Sequence, residues 1–322
     1  MRYKDMPEGT IGIAAMGGDS NQVLATIKDF EQRGIKAAWL TGGAGGLDAL
    51  ALFAAAAMQT ERILLGTCII TILPRHPITT TQQVQVIDQL APGRFRFGVG
   101  TGHARGMEST FGIDFNEPLT HLREYLTIAR TMLSTGAVEF EGHHYRANVA
   151  GNAATDRVPV LAAALRSRAY EVCGGFADGA ISWVSPGTYL RDVALPAMAV
   201  GAKGEGRPTP PLIAHVPVCV HENQAEVLEA ARQQLATYPK SPFYQLMFKE
   251  AGFPEAAEIE TWSERMTEAV VLSGTEERVA ERIAELFGLG ISEIIVSVVT
   301  AGSNAIASRT RTLDLLSSLS SA

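Results

Sequence analysis

The fold class of this chain is decided by residues 60–103, which read TERILLGTCIITILPRHPITTTQQVQVIDQLAPGRFRFGVGTGH. Residues 63–70 are predicted to form an apolar strand, and residues 79–90 a glutamine-rich helix. A second apolar strand at residues 95–99 ends in Gly100-Thr101-Gly102. This order is typical of two parallel strands joined by a crossover helix, and ligands bind at the carboxyl ends of such strands. The polar and glycine residues that follow each strand therefore mark the expected site.

The rest of the chain repeats the same unit of strand and helix. Six further apolar strands are predicted at residues 10–15, 37–40, 158–163, 180–183, 212–220 and 291–299. Residues 138–145 alternate around a glycine and predict a hairpin outside the repeat. Eight such units favour a closed (β/α)8 TIM barrel in the α/β class, and an open doubly wound sheet remains the alternative.

The domain organisation follows from the absence of any linker-like composition. Residues 1–322 are predicted to form one barrel domain, with a helical insertion at about residues 238–271. The insertion is rich in large side chains, which suit either a cover over the barrel mouth or ordinary helix packing: Phe243, Tyr244, Met247, Phe248 and Trp262.

Composition excludes several classes of function. Hydrophobic residues make up 46% of the chain and charged residues 19%, as in globular proteins. The net charge of −7 argues against a nucleic-acid partner. Cys68, Cys173 and Cys219 show no metal-binding spacing and are interpreted as reduced core thiols. No signal peptide and no apolar run of about 18 residues is evident, so we expect a cytoplasmic protein without a membrane partner.

The glycine-rich run that begins at Gly98 does not match a dinucleotide fingerprint. The motif G-x-G-x-x-G requires a third glycine, but His103 and Arg105 occupy the two possible places. The milder interpretation is that Gly100 and Gly102 allow the backbone to approach a flat ligand. A plain turn at the end of the strand is the alternative.

Two histidines follow predicted strands and are candidates for general acid–base catalysis. His76 comes after strand three and His103 after strand four, and either could otherwise be a solvated loop residue. His143 and His144, in the hairpin, are interpreted as surface residues. No metal-ligand spacing, nucleophile elbow or Walker loop is found, so neither metal nor covalent chemistry is expected.

Residues 163–168, AALRSR, follow strand five and begin a helix. The free N–H groups at a helix start, together with Arg166, Ser167 and Arg168, suit a phosphate, although a solvated basic helix start is the alternative. The residues alone therefore predict a barrel that binds a planar, anionic small molecule, without specifying a reaction.

Six motifs give the chain a resemblance to the bacterial-luciferase-like superfamily, and the resemblance runs through nearly all of the chain. They are LGTCIIT at 65–71, RHP at 75–77 with DQLAPGRFRFGVGTG at 88–102, FGIDF at 111–115, VEFEGHHY at 138–145 and ADGAI at 177–181. The chain resembles most the branch that depends on coenzyme F420, a deazaflavin. The resemblance implies an (α/β)8 barrel with insertions and an oxidoreductase that moves hydride between F420 and a small organic substrate. An FMN-dependent monooxygenase or flavin reductase is the alternative, and a homodimer is expected.

The resemblance also implies which residues contact the cofactor. They are Thr41, Thr67, Cys68, Ile69, Gly100, Thr101, Gly102, Ala163, Ala164, Leu165, Arg166 and Ser182. The peptide bond between Cys68 and Ile69 is expected to be cis, and the cofactor phosphate to lie near Ala164, Leu165 and Arg166. His103 is expected to deliver a proton, with His76 as the competitor for that role.

Two departures from the family pattern limit the assignment of a substrate. Many F420-dependent relatives carry a polar pair after strand two, where this chain has Gly42-Gly43. The absence of that pair is also the feature that favours a third possibility, in which the chain keeps the barrel but catalyses no reaction. The sugar-phosphate dehydrogenases carry a glutamate after Gly-Thr-Gly, where this chain has His103, which argues against glucose 6-phosphate as the substrate.

Overall fold

The computed structural model describes residues 9–42, 45–155 and 157–321. Its strands, in chain order, are β1 (Thr10–Ala14), β2 (Ala37–Gly42), β3 (Leu64–Thr71), β4 (Phe95–Gly100), β5 (Val138–Glu141), β6 (Arg146–Val149), β7 (Val160–Ala163), β8 (Gly179–Trp183), β9 (Leu212–Val220), β10 (Leu272–Gly274) and β11 (Glu293–Val298).

Helices follow the strands along the chain. They are α1 (Ser20–Gln32), α2 (Ala49–Ala57), α3 (Pro77–Leu90), α4 (Ala104–Gly106), α5 (Pro118–Thr135), α6 (Ser167–Phe176), α7 (Gly187–Tyr189), α8 (Leu195–Gly204), α9 (Gln224–Gln234), α10 (Pro242–Glu250), α11 (Ala256–Ile259), α12 (Glu264–Val270), α13 (Glu276–Gly288) and α14 (Ala305–Ser321), with π-helical turns at Met107–Phe111 and Leu190–Ala194. Among the described residues, none of these helices combines the length and the apolar character needed to cross a membrane.

Eight parallel strands close into a barrel. Their order is β1-β2-β3-β4-β7-β8-β9-β11, and β11 pairs with β1. Closure excludes the open doubly wound sheet and confirms the predicted TIM barrel. The separate antiparallel pair of β5 and β6 is the predicted hairpin.

The structure adds two elements that the sequence pattern did not predict. Strand β10 pairs with β9 outside the barrel and has three residues, too few to show an alternating pattern. Residues 104–111, for which the sequence analysis predicts no element, form α4 and a π-helical turn. In addition, α3 begins two residues before its predicted start, because Pro77 suits the first turn of a helix.

The strands of the barrel are buried on both faces, which explains their continuous apolar runs. In β9 all nine residues from Leu212 to Val220 are buried, because helices cover the outside and side chains fill the inside. The interior cluster is separate from the core between strands and helices. It consists of Ala37, Trp39, Cys68, Leu161, Ile181, Ile213 and Ile295.

Trp39 fills the interior at a place where two neighbouring strands carry glycine. A Cβ atom at Gly12 or at Gly66 would lie 2.5 Å from the Trp39 ring. The guanidinium group of Arg96 lies 4.0 Å from the centre of that ring and pairs with the carboxylate of Glu293. Both charged side chains are almost fully buried. Since they come from the beginnings of β4 and β11, they close the amino-terminal end of the barrel.

We expect the buried pair to show strong coupling when it is broken. Arg96→Met or Glu293→Leu alone should lower the free energy of unfolding by about 3–5 kcal/mol, because each leaves a buried charge without its partner. The double variant should lose less than either single variant. Denaturant unfolding of the four proteins measures the coupling, and additive losses would contradict it.

Candidate active site

A cleft of about 1000 Å³ opens at the carboxyl ends of the barrel strands. Its lining comes from the ends of β1, β2, β3, β7, β8, β9 and β11 and from the loops that follow them. The size is that of sites that hold cofactors and drug-sized molecules. The carboxyl end of the barrel is also where the sequence predicted the site.

The end of β3 forms one wall of the cleft with Cys68 and Ile69. The peptide bond between them is cis, as expected, and the pairing of β3 shifts register against both β2 and β4. The hydroxyl of Thr41 donates to the carbonyl oxygen of Cys68 at 3.0 Å and lies 3.7 Å from its sulfur. Burial raises the pKa of the Cys68 thiol to about 12. The thiol is therefore neutral and unsuited to nucleophilic attack.

Two residues predicted to contact the cofactor make contacts within the wall of the barrel. The buried hydroxyl of Thr67 donates to the carbonyl oxygen of Gly98 at 2.7 Å and accepts from its N–H at 2.8 Å, which fastens β3 to β4. Gly100 packs against its neighbours, since a Cβ there would lie 2.9 Å from Ile69 and 3.1 Å from Ala163. Thr67 and Gly100 are thus structural in this arrangement, and neither is among the residues that line the cleft.

The remaining predicted contacts do line the cleft: Thr41, Cys68, Ile69, Thr101, Gly102, Ala163, Ala164, Leu165, Arg166 and Ser182. Gly102 has φ +72°, a conformation that favours glycine. Gly42 lines the cleft as well, whereas Gly43, the other half of the departure after strand two, lies outside the described residues.

Helix α6 begins at the rim of the cleft without a side-chain cap. Its N-cap is Arg166, whose backbone is extended and whose side chain makes no capping hydrogen bond. Arg166 and Arg168 are exposed, and within the described part of the chain no acidic side chain pairs with either. Free N–H groups, the positive end of the helix dipole and two guanidinium groups together attract an anion.

His103 lies at the mouth of the cleft, directly after the turn that ends β4. Its ring centre is 5.9 Å from that of Tyr244, and its side chain makes no capping bond to α4. Surrounding protein atoms exclude part of its water, which lowers the pKa of His103 below its usual value. The ring is therefore mainly neutral at pH 7.

His76 lies outside the cleft and holds local structure. Its Nδ1 accepts a hydrogen bond from the N–H of Ile78 at 3.3 Å, which caps α3. Its Nε2 is 3.2 Å from the carbonyl oxygen of Arg146 in the hairpin. The structure does not bring His76 and His103 together.

The inner part of the cleft contains polar residues that the sequence reasoning missed. Nε2 of His215, on β9, lies 2.8 Å from the hydroxyl of Ser297, on β11. The ring centre of Trp183 lies 4.1 Å from that of His215 and 5.5 Å from that of Tyr238. Burial lowers the pKa of His215 to about 3, so its ring is neutral. Both His215 and Ser297 are polar residues within apolar strands, which is the signal that could have identified them.

Some aromatic side chains of residues 238–271 lie at the barrel mouth, and others serve helix packing, which are the two roles considered from the sequence. Phe243 and Tyr244 line the cleft. Phe248 and Trp262 are buried and pack edge to face at 5.6 Å.

The sequence profile of the luciferase-like monooxygenase family matches residues 6–293. The F420-dependent glucose-6-phosphate dehydrogenase of Nocardia farcinica is 31% identical over 62% of this chain, and the match spans only 61% of that enzyme. The 5,10-methylenetetrahydromethanopterin reductase of Methanopyrus kandleri is 24% identical over 90% of this chain and 93% of that enzyme. An F420-dependent secondary alcohol dehydrogenase, solved with an F420–acetone adduct, has the same fold, with a TM-score of 0.81, 17% identity and 98% of both chains covered.

We expect acid to destabilise the protein through His215. The unfolded ring has a pKa of about 6.5, and the folded one of about 3, so the unfolded state binds the extra proton between these values. The stabilisation is complete above pH 6.5 and falls by about 1.4 kcal/mol per pH unit below it. Denaturant unfolding of the wild type and of His215→Gln from pH 7 to pH 4.5 measures the difference. Parallel curves for the two proteins would contradict the assignment.

Proposed function

The chain belongs to the luciferase-like monooxygenase family, and on that premise we propose that it is an oxidoreductase that transfers hydride between coenzyme F420 and a small organic substrate. The observation that carries the proposal is the cleft, whose rim holds the uncapped start of α6 beside Arg166 and Arg168. The relatives that depend on F420 by name support the choice of cofactor.

The residues of the cleft fit a flat cofactor that carries a phosphate. Two opposite walls of the cleft carry small side chains, which leave space for a planar ring. They are Ala14 and Ala15 on one wall and Ala163 and Ala164 on the other. The rim at α6 supplies N–H donors and two positive charges for the phosphate. These features suit F420 and also FMN, so the proposal rests on the branch resemblance for the choice between them.

When bound, the deazaflavin supplies the ring carbon that gives or takes the hydride. The chain contributes position and environment: Cys68 and Ile69 form one wall, and Tyr238 and Tyr244 also line the cleft. Their apolar rings exclude water from the space where the hydride moves. His103, at the mouth, is proposed to hand a proton to the substrate oxygen or nitrogen as the adjacent carbon accepts the hydride.

The inner part of the cleft favours an uncharged substrate group. His215 is neutral, and its hydrogen-bonding partner is the hydroxyl of Ser297. Neither compensates a buried charge, whereas both can hydrogen-bond a carbonyl or hydroxyl. This environment, together with His103 in place of the family glutamate, argues against a sugar phosphate as substrate.

The organisation of the whole protein is part of the proposal. A single domain over residues 1–322 is supported by the pairing of β1 with β11, since strands from both ends of the chain complete the same barrel. We propose a homodimer as well, supported by the exposed side chains of Val86 and Leu90, which lie on one face of α3. The expected cytoplasmic location and the absence of a nucleic-acid partner stay predictions.

Equilibrium titration of the purified protein with F420 and with FMN tests the choice of cofactor. We expect tighter binding of F420, and Arg166→Gln should weaken it roughly 10- to 100-fold, because a charged contact to the phosphate is lost. Arg278→Gln is the matched control, since Arg278 pairs with glutamates on α13, outside the cleft lining. Tighter binding of FMN than of F420 would contradict the proposal and favour the flavin-dependent alternative.

Substitution of the two candidate histidines tests the proton donor. His103→Ala should lower kcat by about 10²–10⁴-fold and leave the Kd for F420 nearly unchanged. Because the acid form is needed in the direction that protonates the substrate, kcat should fall as pH rises through the lowered pKa of His103. His76→Ala should instead cost about 1 kcal/mol of stability by removing the cap of α3. A loss of rate in His76→Ala alone would assign the role to His76.

A further inference from the structure

The turn between β5 and β6 brings two histidines against a glutamate, outside the lining of the cleft. Nε2 of His143 lies 3.6 Å and Nε2 of His144 lies 3.4 Å from the same carboxylate oxygen, Oε2 of Glu117. All three atoms are within 4.8 Å of one another. From the sequence these histidines were interpreted as surface residues.

The two distances from Glu117 to the histidines fit a shared cation better than hydrogen bonds. A hydrogen bond between an imidazole N–H and a carboxylate is about 2.7–3.2 Å long, so both contacts with Glu117 are too long. Ligands of a tetrahedral zinc ion, at about 2.0–2.2 Å from the metal, lie roughly 3.3–3.6 Å apart. Within the residues described, the buried Nε2 of His144 makes no hydrogen bond. It is therefore free to coordinate.

The backbone of the turn is fixed by a second glutamate. One carboxylate, that of Glu124 on α5, accepts hydrogen bonds from the N–H groups of His143, His144 and Tyr145 at 2.7, 2.9 and 3.1 Å. A Cβ at Gly142 would lie 2.5 Å from Glu124, so the turn requires glycine there. Since Glu117 directly precedes α5, the three candidate ligands are anchored to the same helix.

The surroundings complete the features of a metal site. The ring of His121, from α5, stacks on that of His144 at 3.5 Å with an angle of 16° and so fixes its orientation. Asp114 and Asn116 line the same hollow and offer oxygen atoms for a remaining ligand position. A ligand ring whose orientation is already fixed loses less conformational freedom on binding than a free side chain does.

We propose that Glu117, His143 and His144 bind a borderline divalent cation of the zinc type and thereby join the hairpin to the start of α5. Two imidazoles and one carboxylate form a ligand set that suits Zn²⁺ and the neighbouring transition metals. Mg²⁺ and Ca²⁺ prefer sets made of oxygen alone. The proposal is independent of the cofactor and of the reaction in the cleft.

A second histidine–glutamate contact in the chain provides a matched comparison. His221 and Glu226 lie 2.6 Å apart, as a hydrogen-bonded pair does. Among the described residues, no third histidine, cysteine or carboxylate lies close enough to this pair to form a group of three ligands. It has the same chemistry and partial exposure but no third ligand.

The test is calorimetric titration of the untagged full chain with Zn²⁺, before and after removal of metals with a chelator. We expect one ion per chain, with no competition from excess Mg²⁺. His143→Gln, His144→Gln and Glu117→Gln should each weaken binding by at least about tenfold. His221→Gln should bind as the wild type does. Titration with Co²⁺ should give the intense visible absorption of a tetrahedral site.

If the other variants disturb folding, His143→Gln alone tests whether the cluster binds zinc. The side chain of His143 is 69% exposed, so this substitution should leave the thermal melt unchanged. Binding that does not saturate below millimolar Zn²⁺, or that persists in His143→Gln, would overturn the proposal. So would an equal loss of binding in His221→Gln.

Discussion

The architecture depends on a buried ion pair inside the barrel, Arg96 with Glu293 over the ring of Trp39. The two charges come from strands that are far apart in the chain, and both side chains are almost fully buried, where an ion pair that loses one partner is strongly destabilising. A register that separated them would cost the favourable interaction of this pair while both charges stayed buried. The pair thus selects the closed barrel over other arrangements, and Trp39 fills the space that Gly12 and Gly66 leave open. With the amino-terminal end filled in this way, ligand space remains at the other end.

Burial keeps the titratable groups inside that cleft uncharged, whereas charged groups lie at its rim. Desolvation raises the pKa of Cys68, Tyr238 and Tyr244 and lowers that of His215, so each of these groups is held in its uncharged form. Permanent charge is found at the rim, on the exposed arginines that flank the start of α6. The cleft is therefore built to take the anionic part of a ligand at its edge and an uncharged part within. That division matches a cofactor with a phosphate and a substrate that reacts at carbon.

The eight barrel strands were predictable because each is an apolar run of ordinary length between polar turns, and β10 was not because three residues carry no pattern. The walls at Cys68, Ile69 and Ala164 were predictable from strand ends and from family resemblance. Thr67 and Gly100, which are predicted to contact the cofactor, are not among the residues that line the cleft, and the hydroxyl of Thr67 bonds to Gly98 instead. Thr67 directly precedes Cys68, and successive residues of a strand face opposite ways, so position in the sequence alone does not tell which of the two reaches the cleft. The contact of His215 with Ser297 joins residues 82 apart in the chain and exists only once the barrel has closed.

The segment from His103 to Pro118 connects the two regions for which chemistry is proposed. The segment begins with the candidate proton donor, His103. Near its end, Phe115 and Pro118 line the cleft. Glu117, which lies between those two residues, belongs to the group formed with His143 and His144. A cation held by Glu117 would therefore restrain a wall of the cleft. Coupling of this kind is reciprocal: if the cation changes the affinity for the cofactor by some factor, the cofactor changes the affinity for the cation by the same factor. A cation that bound equally well to every arrangement of this segment would leave the cleft unaffected, however tightly it bound.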